Sequence, residues 1–195
     1  MDISRVLYTG SHFLFSLIWN LFLAAIPLMI SSGMEHSAWI YKRKGLFFLG
    51  LLVWIIFFPN APYILTDLFH LTSQDTFPKW FDLLLILSFA WNGMMLAILS
   101  LRQMERMITK KWNRPWALVF VGIMLVASAF GIYIGRYLRF NSWDILTNPF
   151  QIGRDMVQII WHPLHYKGAW GMTASFTVWL GIVYFSIPSM VRSLR

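Results

Sequence analysis

Five apolar runs frame this chain: Phe13 to Ser31, Leu46 to Pro59, Leu83 to Leu101, Pro115 to Gly135 and Gly171 to Val191. Most approach the roughly 20 residues a helix needs to cross a hydrocarbon core about 30 Å thick. In lipid only helices and closed barrels satisfy every backbone donor and acceptor, so the pattern predicts five helical spans. The connection between the fourth and fifth runs is the longest. Within it "FNSWD" reads as a helix start, with Asn141 as cap and Asp144 three residues on. "TNPFQIGRDMVQIIW" reads as a second, with Asn148 as cap and Pro149 at the first helical position. Ile152, Met156, Ile159 and Ile160 then recur at helical spacing while Gln151, Arg154, Asp155 and Gln158 take other faces. That predicts a helix lying in the membrane interface, a lid over the outer face. The predicted fold class is all-α, a polytopic membrane helix bundle of about five transmembrane spans plus an interfacial helix. With no repeat, Gly/Ser linker or charge block, residues 1–195 read as a single integral membrane domain.

Composition sharpens this. Of 195 residues, 58% are hydrophobic and 12% charged, against roughly 45–50% and about 25% in soluble domains. The first run is too long for a cleavable signal peptide and lacks a small-x-small site after it, so it reads as a retained span. Cysteine is absent, which excludes disulfides, thiolate metal sites and cysteine nucleophiles. The net charge of +8 comes from basic residues flanking the spans, which topology and anionic lipid explain, so no nucleic-acid partner is expected. Lys42, Arg43, Lys44, Arg102, Arg106, Lys110, Lys111, Arg114, Arg192 and Arg195 fall on one side; Arg5, Lys79, Arg136, Arg139, Arg154 and Lys167 fall on the other. Ten against six makes the first side cytoplasmic, with the N-terminus outside and the C-terminus inside.

The polar residues that interrupt this frame are the candidates for chemistry. In "FFPNAPYILTDLFH", Pro59 and Pro62 should break the second span near its outer end. If a helix restarts after Asn60, then Asn60, Tyr63, Asp67 and His70 fall within about 80° of one face. Irregular backbone at membrane depth is tolerated where protein buries it or where it lines a wet cavity. The plainer reading has Asn60 capping the restarted helix, Asp67 in solvent and His70 at the headgroup level. On the same predicted side "GRYLRFNSWD" brings Arg136, Arg139, Asn141, Ser142 and Asp144, and an arginine there is expected to pair with Asp67. "WHPLHYK" adds His162 and His165, which with His70 and Asp67 compose an oxygen–nitrogen donor set for a divalent metal; their use as interfacial residues is the commoner alternative. Asn20 and Asn92 inside spans read as interhelical hydrogen-bonders, and "GIYIG" (Gly131, Gly135) as a small-xxx-small contact. Trp54, Trp80, Trp112, Trp116, Trp143, Trp161 and Trp170 read as an aromatic belt.

The stretches "FPNAPYILTDLFHL", "GIYIGRYLRFNSWDI" and "WFDLLLILSFAWNG" resemble those of a bacterial multi-pass membrane family known only as domain of unknown function 1361. The resemblance covers nearly the whole chain. The motif-matching residues are Asn60, Pro62, Tyr63, Asp67, His70, Arg136, Arg139, Asn141, Trp143 and Asp144. It implies a bacterial inner-membrane protein and transfers no catalytic role. Two functions stay open. One is an enzyme acting at the outer face on a lipid or envelope precursor, with Asp67 and His70 as acid–base or metal-ligating groups and Arg136 and Arg139 holding a phosphate. The other is a non-catalytic binder or assembly factor, in which Asn60, Tyr63, Arg136, Arg139, Asn141 and Asp144 recognise an anionic headgroup or a partner protein. A transporter ranks behind both, because charges gather at one end of the spans and no repeat is present.

Overall fold

Four of the five apolar runs lie inside helical structure, the second leaves it at Phe58 and Pro59, and the departures from the simple pattern have identifiable causes. The computed structural model describes the backbone of residues 3–66, 68, 79–138 and 149–193, and no strand occurs among them. Helix α1 spans Ile3–His36, α2 Ala38–Lys42, α3 Lys44–Phe57, α4 Asn60–Tyr63, α5 Lys79–Lys111 and α6 Arg114–Tyr133. A π-helical turn, Ile134–Leu138, follows α6; then come α7, Pro149–Trp161, and α8, Lys167–Ser193. The protein is an all-α bundle.

Four stretches are long and apolar enough to cross a membrane: Phe15–His36, Lys44–Thr66, Asp82–Lys111 and Arg114–Tyr137. The fifth expected span falls on α8, a continuous helix of 27 residues whose side chains beyond Ser186 lie outside the described ones; it is not among these four. Large apolar side chains are exposed along all the long helices, such as Leu49 and Leu52 on α3, Leu84 and Trp91 on α5, Ile123 on α6 and Ile182 on α8. Water would penalise such a surface, and hydrocarbon does not.

The chain gathers into two compact units, Met1–Met104 and Glu105–Arg195, with the boundary inside α5. In the first, α1 and α3 form a helical hairpin joined through α2, and α1 also packs on α4. Ser37 caps α2 by accepting from the Ile40 amide at 3.4 Å, and the Arg43 guanidinium lies 4.6 Å over the Trp39 ring. Gly50 lets α3 approach α1, since a β-carbon there would stand 2.7 Å from Met34 Sδ. Pro27 lies inside α1 without ending it, so one proline does not by itself break a span here.

In the second unit α6 packs along α8. Asn113 starts α6 by accepting from the Trp116 amide at 3.1 Å, with a proline in the first turn. The buried face of α6, Ala117, Val121, Met124, Leu125, Ser128, Ala129 and Ile132, repeats every three or four residues. The helices run antiparallel: Phe130 stacks on Trp170 near the start of α8, while Gly181, farther along α8, faces Leu125. Helix α7 is described from Pro149 onward, its expected cap Asn148 lying outside the described residues, and a turn ends it after Trp161. Its apolar face differs from the expected one: Ile159 is buried and Met156 half-buried, but Ile160 is exposed.

Candidate functional site

The proline-interrupted stretch is built from the inside. The Phe58 amide makes the last regular bond of α3, to Trp54 O at 2.8 Å. Pro59 has no amide to offer, and the Ala61 amide turns instead to Phe58 O at 3.1 Å. Asn60 compensates. Its Nδ2 donates to Phe57 O at 3.0 Å, supplying a donor where the ladder has stopped. Asn60 therefore serves the end of α3, and the expected N-cap role goes unfilled, because Pro59 occupies the N-cap of α4 without a side-chain bond. Thr66 acts in the same way, its buried hydroxyl donating to Tyr63 O at 2.8 Å.

This broken segment is buried in protein. Ala61 and Ile64 are fully enclosed, Pro62 and Thr66 are buried, and Asn60 and Tyr63 are half-buried. Gly93 on α5 makes the room: a β-carbon there would collide with Ile64 Cγ2 and stand 3.3 Å from Ala61 O. The helix that restarts at Asn60 lasts one turn and continues as 3₁₀ over residues 64–66, where side chains three apart eclipse. The wheel that aligned Asn60 and Tyr63 with Asp67 and His70 assumes α geometry throughout, and residues 64–66 depart from it. Asp67 and His70 lie outside the described residues, and the expected pairing of Asp67 with an arginine lies outside them too.

Arg136 occupies the π turn that ends α6. The Ile134 amide shares Phe130 O and Gly131 O, the helix widens, and Tyr133 stacks on Tyr137 at 5.1 Å. The "GIYIG" spacing consequently straddles a change of helix type, with Gly131 in α6 and Gly135 in the π turn. Arg136 is half-buried, and its planar fork of donors suits a phosphate or carboxylate. Arg139, Asn141, Ser142, Trp143, Asp144 and Asn148 lie outside the described residues. His162 and His165 sit exposed in the turn after α7, where the His165 amide bonds to His162 O at 3.0 Å and the His165 ring meets Tyr166 edge-on. Among the described residues no three His, Cys, Asp or Glu side chains gather into a metal site; His70, the third nitrogen of the expected set, is not among them.

Two polar constellations escape the pattern reading. In the first unit Trp54 Nε1 donates to Ser100 Oγ at 2.6 Å, and Ser31 Oγ lies 3.2 Å from that hydroxyl and 2.5 Å from Gln103 Oε1. Gln103 Nε2 then donates to Ser32 Oγ at 3.0 Å, so α1, α3 and α5 share one network. Trp54 is 0% exposed and stacks on Phe58 at 4.4 Å, which corrects its assignment to the aromatic belt. Trp80, Trp112, Trp116 and Trp161 are exposed, as that belt requires. In the second unit the Tyr184 hydroxyl, itself buried, donates to Glu105 Oε2 at 2.5 Å. The sequence signal was there: hydroxyls and a glutamine at helical spacing, in "ISS" and "SLRQ", at the ends of apolar runs. Asn92 is a further correction. It bonds back to Ser88 O of its own helix at 2.8 Å and not to a neighbouring helix.

Comparison with known families now has a structure to rest on. The family described as "Protein of unknown function (DUF1361)" matches residues 19–183. The chain belongs to that family. The match takes in the Asn60 break, Gly93, the Trp54–Ser100–Ser31–Gln103 network and the Arg136 turn, so these features lie within the DUF1361 region, and Tyr184 lies one residue beyond it. No curated protein and no solved structure matches the chain. DUF1361 membership thus carries kinship and leaves the activity to be argued from the residues.

Proposed function

We propose that this is a bacterial inner-membrane protein that recognises an anionic headgroup, of a lipid or an envelope precursor, at the extracytoplasmic end of its second unit. The observation that carries the reading is the π turn at Arg136. A π turn re-aims the side chain it holds and recurs at functional positions in α-helices. Here it holds a half-buried guanidinium at the end of an apolar span, where charge-assisted bonds to phosphate are strong. The charge bias of the connections supports the outward placement. Arg139, Asn141 and Asp144 follow within eight residues in the sequence. The second reading, an enzyme with Asp67 and His70 as acid–base groups and water as nucleophile, rests on residues outside the described ones.

Native mass spectrometry tests the proposal. Protein extracted gently from membranes should retain anionic phospholipid, Arg136→Gln should retain several-fold less, and Arg136→Lys, which keeps the charge but loses the fork, should fall between. Equal retention by wild type and a folded Arg136→Gln would overturn it.

A further inference from the structure

Helix α7 has three sectors, where a lid over a bundle needs only two. Taking Phe150 as zero and about 100° per residue, Val157, Ile160 and Trp161 fall with it inside an arc of about 100°. All four are exposed, Phe150 at 92% and Trp161 at 76%. Arg154 and Gln158, exposed, and Asp155, half-exposed, occupy the next arc of about 100°. The remaining sector holds Ile159, 2% exposed, and half-buried Met156. That last sector is fastened to its own unit, because Trp170 Nε1 at the start of α8 donates to Ile159 O at 3.2 Å.

A helix with one flank on protein, one polar flank and one bare apolar flank, each bordering the other two, fits a crease where three media meet. We infer that α7 lies in the angle between the wall of its unit and the membrane surface, with Phe150, Val157, Ile160 and Trp161 sunk into the boundary of headgroups and acyl chains. Two further observations name lipid as the occupant. The exposed apolar arc shares its unit with α6 and α8, whose own bare faces, Ile123 and Val126 on one and Val178, Ile182 and Phe185 on the other, already require hydrocarbon. The polar arc begins at Arg154, about 20° from Trp161, which places a cation at the edge of the apolar face where anionic headgroups lie. In this arrangement α7 acts as a lateral anchor of its unit on the leaflet.

The lack of cysteine makes the test clean, since single cysteines carry a spin label without background. Labels at Val157, Trp161, Arg154 and Gln158 would be examined in vesicles of phosphatidylethanolamine and phosphatidylglycerol, comparing collision with oxygen, which partitions into lipid, and with a water-soluble nickel chelate. The ratio of oxygen to nickel accessibility should be several-fold higher at 157 and 161 than at 154 and 158. Equal ratios would place the apolar arc in water and overturn the inference. Low accessibility to both reagents at 157 and 161 would also overturn it, by showing protein, such as a second copy of the chain, on that face. The readout does not depend on Arg136, so it fails or succeeds independently of headgroup recognition.

Discussion

Replacing Gly93 with alanine adds one methyl group to the interior of a long helix, a change that ordinarily stabilises. Glycine costs a helix interior about 0.8–1.0 kcal/mol relative to alanine in water, and that sets the upper limit of the gain. At Gly93 the new methyl would overlap Ile64 Cγ2 and press on Ala61 O at 3.3 Å. Neither neighbour gives way easily. Ile64 is fully buried and β-branched, and the segment carrying it packs on α1. Overpacking of this kind costs about 1–3 kcal/mol. Subtracting the propensity gain leaves a net loss of about 1 kcal/mol. Gly122 on α6 is the control, because a β-carbon there meets nothing within 4 Å, and Gly122→Ala should gain up to about 1 kcal/mol. Thermal unfolding followed by the 11 tryptophans would give the two shifts. They should have opposite signs. Adding Ile64→Ala should then cost less in the Gly93→Ala background than in wild type, since the new methyl partly fills the space. A Gly93→Ala protein at least as stable as wild type, or strict additivity with Ile64→Ala, would show that the broken segment does not press on α5.

Trp54→Phe keeps the stacked ring but removes the donor to Ser100, and should cost about 0.5–1.5 kcal/mol in thermal or detergent unfolding. Ser128 Oγ is buried without a hydrogen-bond partner among the described residues, so Ser128→Ala should leave stability unchanged or raise it by about 1 kcal/mol, whereas a clear loss would reveal a partner such as a bound water. Asn60→Asp should destabilise more than Asn60→Ala by about 1 kcal/mol, because it sets a carboxylate against the Phe57 carbonyl where alanine merely leaves that carbonyl unserved; equal losses would mean that the amide does not support the break. Retention of anionic lipid should fall in Arg136→Gln and persist in Asn60→Ala, which separates the residue proposed for recognition from the one that serves the backbone.

Four of the span positions and the break at Pro59 and Pro62 were legible in the sequence because each follows from local rules, apolar length or a missing amide. The reach of the break was not. Whether a helix restarts as α or 3₁₀ depends on what encloses it, and Gly93, almost thirty residues after Ile64, does that enclosing. Trp54 misled for a similar reason. An indole near the end of an apolar run suits a belt, and only the approach of Ser100 on another helix turns it inward. Helical periodicity reads the regular parts of a chain, and Asn60 and Arg136 lie where regularity stops.

That division bears on which polar residues remain for a ligand. Prolines near the end of a span strand carbonyl groups, and each stranded group in an apolar setting costs enough that a neighbouring donor is drawn to it. Asn60 and Thr66 answer that need through Phe57 O and Tyr63 O. Their polarity is thereby explained by the backbone, with no ligand invoked. The π turn presents the converse case. It opens no proline gap, yet the sequence places an arginine in it, and a guanidinium at the end of an apolar helix brings a fixed charge and five donors, more than the repair of one carbonyl requires. Asn60 and Thr66 are thus weighted toward architecture, and under the proposed function Arg136 is the residue that a search for the ligand should address first.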